Sequence, residues 1–270
     1  MLLFQLREPI NAWSHGAGML LALPLTWVLW KRCVAPYDRG NMVSRTSPTR
    51  YQRIKAICLV VFGVTLTVCY GTSAMFHGVR LSGEPLIRLQ RLDHVGIYLL
   101  IAGTYTPVAW GLMRGPWLWG TLTAAWTAAF VCGTRVLYGS VMPMWGSTLT
   151  YLLMGWGAIF CYYELARTHS HRKLLLLPLG GLFYSVGALL NLSHWPVLFP
   201  GVLAAHELFH FFVIAGTTCH VLFMLGVVIP SPEPATLPVR AGSQLPFRRP
   251  RLAHPLPAKH LRAASQGSRQ

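Results

Sequence analysis

Apolar residues in this chain gather into seven long stretches: Asn11 to Trp30, Lys55 to His77, Asp93 to Met113, Trp117 to Val136, Met142 to Ala166, Leu174 to Leu192 and Leu203 to Ile229. A helix needs about 20 mostly apolar residues to cross a hydrocarbon slab about 30 Å thick, in which every backbone amide must be bonded within its own segment. The pattern therefore predicts an all-α, polytopic membrane protein, a seven-transmembrane-helix bundle. The first stretch runs into Trp30-Lys31-Arg32 rather than a small-residue cleavage site, so it reads as a retained span and not a signal peptide.

Polar punctuation divides the stretches. Lys31 to Lys55 is hydrophilic, with Pro36, Gly40 and Pro48 as breakers, and shorter Gly/Pro turns follow at Gly83-Glu84-Pro85, Gly115-Pro116, Gly139 to Pro143 and Trp195 to Gly201. From Pro230 onward Pro, Ser, Arg, Ala and Gln replace helical periodicity. Two regions are expected: a membrane domain over residues 1–229 and a disordered basic tail over 230–270.

Composition excludes a soluble domain, since only 11% of residues are charged and 53% are hydrophobic, against about 25% charged in soluble proteins. The formal charge of +16 comes from residues between spans or in the tail, which points to membrane topology and anionic lipid as partner, not nucleic acid. With seven spans, Arg7, Arg80, Arg88, Arg91 and Arg135 share the N-terminal face, while the larger basic set of the first loop, Arg114, Arg167, Arg172, Lys173 and the tail lies opposite. The positive-inside rule then favours an external N-terminus. The six cysteines lie in or beside apolar stretches without C-x-x-C spacing, as buried free thiols do.

An ionisable side chain inside a span costs about 2.5–3.5 kcal/mol on insertion scales, so each such residue marks a partner or a function. Those present are His15, His77, Asp93, His94, His206, Glu207, His210 and His220. His206 and His210 are four apart at the start of the last span, which stacks them on one helix face. His77 ends the second span and Asp93 begins the third, so alternating topology brings all four to the same membrane face. Three imidazoles and a water would form an open tetrahedral zinc site, with a nearby carboxylate, Asp93, to take the water's proton. Ser73 lies one turn before His77, placed to orient its ring, and Glu207 is a further group near the metal. His220 is ten residues beyond His210, about 15 Å along the helix, too far to share the ion. His206-Glu207-Leu208-Phe209-His210 also spells H-E-x-x-H, the zinc-protease motif. The third ligand of an intramembrane protease of that kind is a carboxylate on a later helix, and no aspartate follows Asp93 here.

These residues resemble the bacterial hemolysin III family, prokaryotic relatives of the progestin and adiponectin receptors, over most of residues 8 to 229. Glu8 to Gly16 is similar to the family's opening E-x-x-N-x-x-T/S-H-G, Ser73 to His77 to its S-x-x-x-H, Leu92-Asp93-His94 with Ile101 to Pro107 to its third-helix block, and His206 to His210 with His220 to its last helix. The resemblance implies a seven-helix fold in the cell membrane, zinc held at His77, His206 and His210, and Asp93 acting on the zinc-bound water. The family is drawn with its N-terminus in the cytoplasm, opposite to the side the basic residues favour. The wider CREST superfamily contains alkaline ceramidases, which implies hydrolysis of a lipid amide or ester. The alternatives are a receptor or lipid sensor with a structural zinc, or a cytolysin, although no span carries the sustained polar stripe of a conduit.

Overall fold

A computed structural model describes residues 6–35, 47–139 and 143–233, and among these it is built of helices. In chain order they are α1 (Pro9–Val34), α2 (Arg50–Gly78), α3 (Glu84–Leu112), α4 (Gly115–Tyr138), α5 (Met144–Trp156), α6 (Ala158–Ala166), α7 (His171–Leu174), α8 (Leu176–Ser193) and α9 (Ala205–Phe223), the last extended by a π-helical turn, Met224–Val228. Five helical segments are long and apolar enough to cross a membrane: α1, α2, α3, α7 with α8, and α9 with its π turn. The expected fourth span, α4, is diluted by Trp117, Trp119, Trp126 and four threonines, and the fifth is interrupted at Gly157 between α5 and α6. At that interruption the Tyr105 hydroxyl of α3 donates to the carbonyls of Met154 and Gly155 at 3.0 and 3.1 Å, satisfying groups that the broken ladder frees.

Helix starts follow local chemistry. Pro9 opens α1 and Pro85 and Pro116 sit in the first turns of α3 and α4, where a missing N–H costs nothing. Thr49 and Gln52 form a reciprocal capping box on α2. Helix α3 begins at Glu84, so Asp93 does not open the third helix as expected but lies about 2.5 turns inside it. Ser231, just past the expected boundary at 229, accepts a hydrogen bond from Lys55, and residues 234–270, the bulk of the expected tail, lie outside the described residues.

Consecutive helices pack as neighbours, α1 on α2, α2 on α3, α3 on α4 and α8 on α9, around a main apolar core fed mostly by α1, α2, α3 and α9, with a smaller cluster between α3 and α4. Helix α2 is central, and small residues let α3 close on it. A Cβ at Gly96 would meet the Cys69 backbone at 2.9 Å, and one at Gly103 would collide with Thr65. Close backbone approach is what drives helix association where lipid removes the hydrophobic drive. Gly96 lies three residues beyond Asp93, so this same contact brings Asp93 towards α2.

At the other end of α2, Lys55 is 3% exposed and donates to the carbonyls of Val228, Ile229 and Ser231 at 3.2, 3.0 and 2.8 Å. An ammonium with its three donors used on the last carbonyls of a helix is a cationic C-cap, favoured by the macrodipole. It fastens the end of the last helix to α2.

Candidate metal centre

Three imidazoles from two helices converge at the end of the bundle that holds the N-terminus of α1. The rings of His77, His206 and His210 form a nearly equilateral triangle, with centroids 5.0, 4.8 and 5.0 Å apart, and one nitrogen of each lies within 4.8 Å of the others. A tetrahedral zinc at about 2.0–2.1 Å from each nitrogen needs them about 3.4 Å apart, so the rings would have to close by up to about 1.4 Å to hold it. His77 and His210 are 2% and 1% exposed. His206 and His210 share a face because α9 starts at Ala205 and carries them one turn apart.

The hydrogen bonds outside the triangle set its tautomers. His77 Nδ1 is bonded to the Glu8 carboxylate and His206 Nδ1 to Asn191 Oδ1 at 2.9 Å. With an oxygen acceptor on each Nδ1–H, the Nε2 lone pairs of both rings are free for a cation. His210 Nδ1 is buried without a hydrogen-bond partner. Donor type, burial and tautomer thus fit a borderline-soft divalent ion such as zinc.

Asp93 Oδ2 lies 3.9 Å from His77 Nε2, on the cation-facing edge of that ring. The other anticipated residues take more specific places. Glu207 is committed on both oxygens: Oε2 accepts the Ala204 N–H at 2.9 Å, as in a capping box, and Oε1 accepts the Asn11 amide at 3.1 Å. Ser73, expected to orient His77, is instead bonded through Oγ to His15 Nδ1 at 2.8 Å and lies within reach of Asp93. His94 bonds the Gln90 carbonyl of its own helix at 2.8 Å, and His220 bonds the Leu177 carbonyl of α8 at 3.2 Å.

The group that orients His77 is Glu8, which precedes α1. Burial raises its pKa, but the hydrogen bond from His77, helped by Asn11 and Arg7, outweighs that and holds the carboxyl below the usual carboxylate range. Glu8 and Asn11 entered only through the resemblance of Glu8 to Gly16 to a family motif, without a role, and Asn191 not at all; their partners lie 69, 196 and 15 positions away. The available signal was the spacing of Glu8, Asn11 and His15 at i, i+3 and i+7, a polar stripe on one face of an otherwise apolar helix.

Beside this polar cluster lies an apolar cavity of about 380 Å³ between α3, α5, α6, α8 and α9. Ile97, one turn beyond Asp93, and Phe209, next to His210, belong to its wall, with Leu100, Ile101 and Val213 deeper.

Residues 4–221 match the family model described as "Haemolysin-III related". The chain is 31% identical over 229 residues to "Hemolysin-3" of Bacillus cereus, covering 84% of this chain and 94% of that protein. It is 30% identical over 216 residues to "Hemolysin-3 homolog" of Bacillus subtilis (strain 168), covering 80% and 92%.

Proposed function

The chain belongs to the haemolysin-III related family of multi-pass membrane proteins, and from that footing we propose a seven-helix, zinc-dependent hydrolase that cleaves an amide or ester bond of a membrane lipid. The observation that carries the reading is the convergence of His77, His206 and His210, a group of three imidazoles among the described residues, as an open catalytic site uses. When bound, zinc supplies Lewis acidity towards a carbonyl and lowers the pKa of a coordinated water towards about 7.

The protein's own groups divide the remaining work. Asp93 faces the metal-side edge of His77 and receives the proton of the attacking water, then returns it to the leaving amine or alcohol. Glu207 already accepts a hydrogen bond on each oxygen, from Asn11 and from the Ala204 N–H, which makes Asp93 the better placed base. Glu8 and Asn191 hold two of the imidazoles in the ligating tautomer. The adjoining apolar cavity suits a hydrocarbon chain, which supports a lipid as substrate.

The test is hydrolysis of a panel of lipid amides and esters by purified protein, with and without a zinc chelator and with zinc added back. Chelator-sensitive, zinc-restored turnover is expected; turnover that ignores the chelator contradicts the proposal.

A further inference from the structure

Helix α1 enters the site with three polar residues on one stripe, and each holds something different. Glu8 Oε2 accepts from the His77 ring of α2. Asn11 Nδ2 donates to that same oxygen and to Glu207 Oε1 of α9, both at 3.1 Å. His15 bonds Ser73 of α2 at 2.8 Å and stacks on His210 of α9, with ring centroids 3.9 Å apart. The backbone joins in, since the N–H groups of Arg7 and Glu8 donate to the carbonyls of Gly78 and His77 at 3.3 and 2.9 Å.

This stripe is costly to the fold. Asn11 is 0% and His15 4% exposed, and Asn11 Oδ1 and His15 Nε2 are buried without a hydrogen-bond partner. Burying two polar atoms without partners costs stability, so what the stripe offers in return is the set of bonds it makes to His77, Ser73 and Glu207.

Building on the metal site proposed above, we infer that the first two turns of α1 are its positioning element, with Glu8 and Asn11 clamping the ligands of α2 and α9 in register. Glu8 keeps the His77 lone pair turned inward, and Asn11 bridges the carboxylates of Glu8 and Glu207, so neither His77 nor the start of α9 can drift without breaking a bond to α1. Metal binding and docking of the α1 N-terminus are then linked, and linkage is reciprocal: what loosens α1 weakens the metal, and metal removal loosens α1.

The experiment uses the full chain in lipid nanodiscs and zinc as probe. Zinc affinity is measured by competition with a chelator for wild type, Glu8→Gln, Asn11→Ala and the conservative Glu8→Asp. Amide hydrogen exchange of residues 9–16 is followed in wild type with and without zinc. Glu8→Gln and Asn11→Ala are expected to weaken zinc by about 10–100-fold, with Glu8→Asp recovering part of the loss, and zinc is expected to slow exchange in α1. Wild-type affinity in both variants, or α1 exchange indifferent to zinc, overturns the inference alone. The exchange arm needs no variant to fold. A wild-type chain that takes up no zinc sinks the metal-site reading itself, and this inference with it.

Discussion

Replacing Asp93 by Asn separates a catalytic metal from a structural one. The change is nearly isosteric and keeps the hydrogen-bonding capacity of the side chain while removing its charge and basicity. As a general base at 3.9 Å from His77 Nε2, Asp93 is worth about 10²–10⁴ in rate, or about 2.7–5.4 kcal/mol of barrier. If instead the carboxylate served to balance the ion's charge, neutralising it would remove attraction of about 4 kcal/mol per unit charge pair at 4 Å and an effective dielectric of about 20. For a divalent ion that doubles to about 8 kcal/mol, and the loss would appear as metal binding weaker by about six orders of magnitude, with a lower melting temperature of the loaded protein. The two roles therefore move different observables. Zinc content, melting temperature and lipid-amide turnover are measured side by side for wild type and Asp93→Asn. The expected outcome is retained zinc, an unchanged melting temperature and turnover reduced at least a hundred-fold. Retained zinc with unchanged turnover refutes the assignment of the base.

Two further outcomes follow from the opposite end of the bundle. Lys55→Met removes a buried ammonium from three helix-terminal carbonyls, a loss partly offset by no longer burying a charge, and should destabilise the protein by about 2–4 kcal/mol in reversible unfolding from mixed micelles. Wild-type stability would show that the cap contributes nothing. Truncation after Glu233 should leave the folded domain and its zinc content intact, because the Lys55 contact to Ser231 and the Arg114–Glu233 ion pair are kept; loss of folded protein by size-exclusion chromatography would place part of the fold in residues 234–270.

The parts of the site that were legible in the sequence are those with a local or topological signature. His206 and His210 are joined by helical spacing, and His77 and Asp93 follow from counting which end of each span faces which side. The start of α4 was legible to within a few residues because Gly115-Pro116 marks it, whereas α2 begins at Arg50, five residues before the expected Lys55, on a Thr49–Gln52 capping box. What escaped depends on how two helices rotate against each other. Nothing local distinguishes Glu8 as the partner of His77 from Ser73, which lies closer in sequence, because the choice is made by the depth at which α1 docks on α2. The extra 2.5 turns of α3 before Asp93 were hidden because Leu86, Ile87 and Leu89 alternate with arginines and a glutamine in an amphipathic rather than apolar stretch.

The measurement closest to the central claim is the metal content of the purified chain, by elemental analysis of wild type beside His206→Ala and His210→Ala. Three converging imidazoles predict about one zinc per wild-type chain, and its loss from each variant, because removing one of three ligands takes away a large part of the affinity. A metal-free wild-type protein that is folded and hydrolyses lipid amides would contradict the account.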